Sequence, residues 1–147
     1  YYLQNQVAYG QIVRGMHHWG ASVVIVMMFL HTLRVFFQGA YKKPRELNWI
    51  VGVLIFFVML ALGLTGYLLP WDMKALNATK VTLDIVESTP LIGGMLKTLL
   101  SGDEYIVGAE TLTRFFAIHV FFLPAALLGL IGLHFLMIRK QGISGPL

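Results

Sequence analysis

The sequence predicts an all-α membrane protein, a bundle of transmembrane helices. Three observations carry that expectation. Mean hydropathy is +0.73, and 57% of the 147 residues are hydrophobic. Only 12% of residues are charged, where soluble domains carry about 25%. Three separate runs are each long enough to cross a bilayer, which takes about 20 mostly apolar residues.

The first run covers residues 16–37; past His17 and His18 at its mouth, it is interrupted from Trp19 onward by His31 and Arg34. Before it, "NQVAYGQIVRG" mixes polar and apolar residues and reads as an interfacial lead-in. The second run, residues 49–69, carries no charge at all. The third, residues 115–138, holds two histidines and Pro124 but no full charge, and it ends on Arg139 and Lys140. No repeat or low-complexity segment divides the chain, so 1–147 reads as one domain.

The connections set the topology. The first, "QGAYKKPREL", carries Lys42, Lys43 and Arg45 against Glu46. Two crossings separate it from Arg139 and Lys140, so both basic clusters fall on one side, and the positive-inside rule makes that side cytoplasmic. The second connection, residues 70–113, holds Asp72, Asp84, Glu87, Asp103, Glu104 and Glu110 against Lys74, Lys80 and Lys97. It is net acidic and falls outside. It is also too long to be structureless. "TPLIGGMLKTLL" has a proline near its start, with Leu91, Met95 and Leu99 at helical spacing, and predicts a short amphipathic surface helix near residues 90–100. The basic clusters are thus membrane-side charges, and no nucleic-acid partner is expected.

Cysteine is absent, which excludes disulfides, thiolate-held iron–sulfur clusters and thioether-linked haem within these residues. The chain opens "YYLQNQ" without Met or a signal-peptide pattern, so an upstream segment is expected.

Five histidines remain, four of them in or at the ends of two apolar helices. Ionisable groups inside a membrane are costly and mark function. His17 and His31 are 14 residues apart, a rotation about 40° short of four turns, so they share a helix face. His18 is 13 before His31, which offsets it by about 140°. His119 and His134 are 15 apart, about 60° past four turns, and a distortion at Pro124 between them would absorb the difference. The axial rises, about 21 and 22 Å, match. Two antiparallel helices would then present one histidine each at two levels: His17 with His119 outside, and His31 with His134 inside. Zinc asks for about four ligands at one point, whereas paired histidines on facing helices fit a clamped macrocycle. Bis-His haem has no open position and suits electron transfer. Gly52 and Gly66, also 14 apart, would let a flat ring approach the middle helix. Arg14 and Arg34 lie one turn waterward of His17 and His31, where a propionate would emerge or where an arginine simply snorkels.

"RGMHHWGAS", "FLHTLRVFFQGAYKKPREL", "GYLLPWD", "TLTRFFAIHVFFLP" and "HFLMIRKQGISGPL" resemble the N-terminal part of the cytochrome b family almost continuously, and within it the split cytochrome b6 type. The resemblance implies a fourth helix upstream, with bis-His haems held between helices. It implies two haem b: His17 and His119 on the outer, low-potential haem, and His31 and His134 on the inner, high-potential one. The second histidine of the pair in "MHHW" is not a ligand in the family. The resemblance further implies Gly52 and Gly66 as haem-packing positions, and Arg14, Arg34 and Arg45 as propionate-side positions. Tyr67, Leu91 and Met95 would border the outer quinol site, and Arg139 the inner quinone site. The cysteine that links a third, c-type haem in b6-type members is missing from these residues, which give that haem no support. No catalytic residue is expected in the isolated chain.

The implied function is the di-haem electron-transfer subunit of a quinol:electron-acceptor oxidoreductase of the bc1/b6f type. It would carry electrons between an outer quinol-oxidation site and an inner quinone-reduction site, and so contribute to proton translocation. The implied partners are a Rieske iron–sulfur protein, a c-type cytochrome, a second membrane subunit with the remaining quinol-site residues, and quinone, with menaquinone favoured. A dimeric complex in a bacterial cell membrane is expected, with a thylakoid-type membrane as the alternative. Two other readings compete: the di-haem anchor of another respiratory reductase, disfavoured by "GYLLPWD" and the long outer loop, and a non-redox proton-relay subunit. The helical register makes an asymmetric prediction. His17→Leu should remove the outer haem, whereas His18→Leu should leave both haem bands in place, as read from reduced-minus-oxidised spectra of membranes.

Overall fold

The computed structural model describes residues 2–102 and 107–144. Asp103, Glu104 and the last three residues of "GISGPL" lie outside the described residues. In chain order the elements are α1 (Tyr2–Asn5), α2 (Gly10–Phe37), α3 (Glu46–Leu68), α4 (Met73–Glu87), α5 (Gly93–Ser101), α6 (Ala109–Ala117), a π-helical turn (Ile118–Phe122) and α7 (Leu123–Gln141). Among the described residues, three helices are long and apolar enough to cross a membrane: Gly10–Phe37, Glu46–Leu68 and the composite Ala109–Gln141. The chain divides into two compact units, Tyr1–Gly63 with Gly129–Leu147, and Leu64–Leu128.

In the first unit, α2 starts six residues before the apolar run does. Its 28 residues reach about 42 Å, longer than the hydrocarbon core, so its polar first turns extend beyond the bilayer. The Arg14 guanidinium donates to the Gln4 side-chain oxygen and ties α1 to it. The helix stops at Gly39, whose φ of 61° favours glycine. Gly39 N–H donates to the Phe36 carbonyl and Ala40 N–H to the Val35 carbonyl, both at 3.0 Å, a Schellman closure. Gly63 of α3 lies against Ile25 of α2: a Cβ at that glycine would meet Ile25 Cδ1 at 3.0 Å. At the other end of α3, Arg45 donates to the carbonyls of Gly142 (3.2 Å) and Ile143 (2.9 Å). That bond holds the α2–α3 connection against the end of α7. The two basic segments therefore lie together, as the charge pattern implied.

The second unit is built around Leu68, Leu83 and Phe115, with Leu69, Ala78, Leu100 and Val107 packed on them. The outer segment contains more helix than the sequence suggested. Besides α5 it forms α4, which Asp72 caps by accepting from Ala75 N–H at 2.8 Å. The buried stripe of α4 is Ala75, Thr79 and Leu83, at i, i+4 and i+8. Two of those three side chains are small or polar, so the stripe does not read as apolar. The second helix also begins later than Leu91, which sits before it at a φ of 70° and fully exposed. Lys97 of α5 bonds to Glu87 and lies 3.8 Å from Asp84, which joins α5 to α4. The Glu87 hydrogen bond holds the Lys97 ammonium above the ordinary lysine value. Thr111, fully buried, donates to the Ser101 carbonyl at 2.8 Å and accepts from Gly108 N–H at 3.2 Å, which joins α6 to the end of α5.

The third span is not a uniform α-helix. Leu123 N–H reaches the Ile118 carbonyl, five residues back, so residues 118–122 form a π turn just before Pro124. Such a turn accommodates one residue more than α geometry does. This generates a test by deletion. Removing Phe121 should let the helix close as regular α and keep the faces on either side aligned. Removing Ala126, a small side chain in regular α7, should rotate those faces by about 100°. Immunoblots of membrane fractions should show the Phe121 deletion near the parental level and the Ala126 deletion severalfold lower.

Candidate cofactor site

Two of the four predicted ligand histidines are seated on α3 in the same manner. In the second unit, the His119 ring, carried by the π turn, lies against Gly66. A Cβ at Gly66 would stand 2.6 Å from His119 Cε1, 3.2 Å from Nε2 and 3.3 Å from Nδ1. No real side chain tolerates the first of these distances, so only glycine leaves room for the ring. Beside it, Thr65 Oγ1 lies 3.0 Å from His119 Nδ1. In the first unit, the His134 ring on α7 lies against Gly52, where a Cβ would meet Cε1 at 3.4 Å and Nδ1 at 3.9 Å. The Nδ1 atom of His134 is buried against the Asn48 main chain and has no side-chain hydrogen-bond partner among the described residues. His31 lies within electrostatic reach of the same ring.

His17 and His31 are exposed residues of α2. His18, next to His17, places its ring edge-on to Trp19 at 5.8 Å, and its carbonyl accepts from Ser22. Of the three arginines, Arg34 is exposed in the last turn of α2, while Arg14 and Arg45 hold Gln4 and the two C-terminal carbonyls described above. Tyr67 is exposed near the end of α3, and Arg139 is exposed near the end of α7. Met95 lines an open depression of about 540 Å³ with Gly94, Thr98, Leu99, Gly102 and Arg114. There the Arg114 guanidinium donates to the Leu99 carbonyl. Leu91 is not among its lining residues.

Three features bear on whether a b-type haem fits. Among the described residues, no group of three or more His, Cys, Asp or Glu side chains gathers at one point, whereas a zinc site takes about four ligands. Each seated imidazole turns its Cε1 edge to a glycine. His119 has Nδ1 engaged by a hydroxyl, the arrangement that leaves Nε2 to coordinate a metal. The donors fit a haem iron. Thr65 and Asn48 were not singled out from the sequence. The available signal was the one threonine of α3, directly before Gly66 in a mostly apolar helix.

The two glycines should differ in their tolerance of a methyl group. Gly66→Ala forces the His119 ring out of its seat and should cost most of one haem's absorbance. Gly52→Ala asks His134 for a few tenths of an ångström and should retain both haems. Haem content per chain in purified complex, by the pyridine haemochromogen spectrum, checks the difference.

Comparison with known proteins bears on the whole chain. Residues 22–147 match the cytochrome b (N-terminal)/b6/petB family. The chain is 84% identical over 147 residues to the menaquinol:cytochrome c reductase cytochrome b subunit of Bacillus subtilis (strain 168), covering all of this chain and 66% of that protein. It is 49% identical over 146 residues to cytochrome b6 of Synechocystis sp., covering 99% of this chain and 65% of that protein. It thus spans about two thirds of the length of these relatives. Among solved structures, a chain of a hyperthermophilic respiratory Complex III superposes with a TM-score of 0.86 at 35% identity, covering 98% of this chain and 39% of that one. The chain belongs to the cytochrome b N-terminal/b6 family, a family of haem b proteins.

Proposed function

We propose that this chain is the di-haem b electron-transfer subunit of a quinol:cytochrome c oxidoreductase in a bacterial cell membrane. The observation that carries the proposal is the pair of imidazoles, His119 and His134, each seated on a glycine in the charge-free run of α3. The two glycines are 14 residues apart, about four helical turns. The π turn supports the same register. The 15-residue spacing of His119 and His134, less the one residue the π turn takes up, counts as the 14 that separate His17 from His31.

The assigned ligands are His17 with His119 for the outer haem, and His31 with His134 for the inner haem. Bis-His haem b supplies a one-electron redox centre with no open coordination position. The residues of the chain hold and orient. Gly66 and Gly52 admit the imidazole rings at the surface of α3. Thr65 engages Nδ1 of His119. The apolar spans keep water from both levels and hold the two levels about four turns apart along the helix. Arg14 and Arg34 stand on the waterward side of the α2 histidines, where a cation offsets propionate charge. Arg45, on the same side as Arg34, is the third propionate-side candidate, and it also closes the end of α7. Tyr67, Leu91 and Met95 are the outer quinol-site candidates, and Arg139 the inner one.

The Bacillus subtilis relative is a menaquinol:cytochrome c reductase subunit, which supports menaquinol as the donor here. The reaction needs a Rieske-type iron–sulfur protein, a c-type cytochrome and a second membrane subunit as partners, in a dimeric complex. This chain then contributes one domain of the complex and is not active alone. A redox titration of the purified complex, followed by haem b absorbance, tests the proposal. Two haem b per chain with separate midpoint potentials are expected. A preparation that catalyses quinol oxidation without haem b on this subunit would overturn it.

A further inference from the structure

Thr65 is 7% exposed, on the last turns of α3, directly before Gly66. Its Oγ1 is 3.0 Å from His119 Nδ1, and both residues belong to the second unit. An imidazole that coordinates through Nε2 carries its hydrogen on Nδ1. The threonine oxygen is therefore the acceptor of that bond. A hydroxyl has one hydrogen and two lone pairs, so Thr65 can accept from the ring and still donate elsewhere.

The second seated histidine is held differently. His134 Nδ1 is buried against the Asn48 main chain and has no side-chain acceptor among the described residues. The ring on Gly66 thus has a side-chain acceptor fixed on its far nitrogen, and the ring on Gly52 does not. An acceptor on Nδ1–H raises the basicity of a ligating imidazole and fixes its orientation. A more basic axial ligand favours the oxidised metal and lowers the reduction potential.

We infer that Thr65 is a positioning residue that holds His119 in its metal-binding tautomer and lowers the potential of the outer haem relative to the inner one. The inference rests on the reading of His119 as an axial ligand, proposed above. It goes beyond that reading by assigning part of the potential difference between the two levels to one hydroxyl on α3.

Midpoint potentials in the purified, fully assembled complex test it. Thr65→Val keeps the shape of the side chain and removes the acceptor. Loss of one neutral hydrogen bond should shift the reduction equilibrium of the outer haem about fivefold toward the reduced form. At 59 mV per tenfold for one electron, that fivefold shift is a rise of about 40 mV. The inner haem should titrate as before. Thr65→Ser retains the hydroxyl and should restore the parental potential. If Thr65→Val assembles poorly, Thr65→Ala removes the same group with less bulk and should give the same shift. An outer-haem potential that stays at the parental value in Val or Ala variants with full haem content overturns the inference. So does a Ser variant that shifts as far as Val, because the role would then be packing. A His119→Leu variant separates the two readings. If it keeps the outer haem, the ligand assignment falls and takes this inference with it. If it loses that haem while Thr65→Val titrates unchanged, the Thr65 inference alone falls.

Discussion

The arrangement depends on a steric constraint: an imidazole ring must lie against the backbone of a neighbouring helix. At Gly66 the constraint is severe, since a Cβ there would come within 2.6 Å of the His119 ring. At Gly52 it is milder, at 3.4 Å from the His134 ring. Glycine costs a helix about 1 kcal/mol relative to alanine, and at Gly66 the ring contact requires it. Family resemblance suggested that these glycines make room for the macrocycle. The structure shows that they make room for the histidines. The histidine contact is the one seen here, and it is stricter at Gly66 than at Gly52.

The second constraint is register. Helices of 3.6 residues per turn do not return to the same face at a spacing of 15. The composite third span resolves this locally, with one π turn carrying His119 itself and Pro124 following just beyond it. A proline was expected to bend the helix. The finding is that the irregularity lies on the histidine, upstream of the proline, where the extra residue is absorbed before the helix resumes as α7.

Much of this was legible in the sequence for identifiable reasons. Spans announce themselves because a bilayer demands length and apolarity together. The basic clusters around Arg45 and Arg139 fixed their common side before Arg45 was seen to hold the Gly142 and Ile143 carbonyls. Histidines and glycines at matched intervals singled out the residues that meet on α3, His119 with Gly66 and His134 with Gly52. Helix α4 was not legible, because its buried stripe of Ala75, Thr79 and Leu83 is too small and polar to register as an apolar face. The start of α2 was missed because its first turns extend into water and lack a hydrophobic signal. Leu91 seemed to continue the spacing of Met95 and Leu99, but a positive φ places it outside the helix they share. Thr65 escaped notice because one hydroxyl in an apolar helix usually bonds its own backbone. Only the three-dimensional pairing with His119 assigned it a second partner.

These constraints lead to one central claim: the chain offers imidazoles in pairs, each closing both axial positions of one haem iron. Electron paramagnetic resonance of the oxidised, fully assembled complex tests it most directly, because the signal reports axial ligation at each iron separately. The account predicts two low-spin ferric signals from the b-type haems of this subunit. A high-spin ferric signal from either would mean an open or weakly held axial position, and would contradict it.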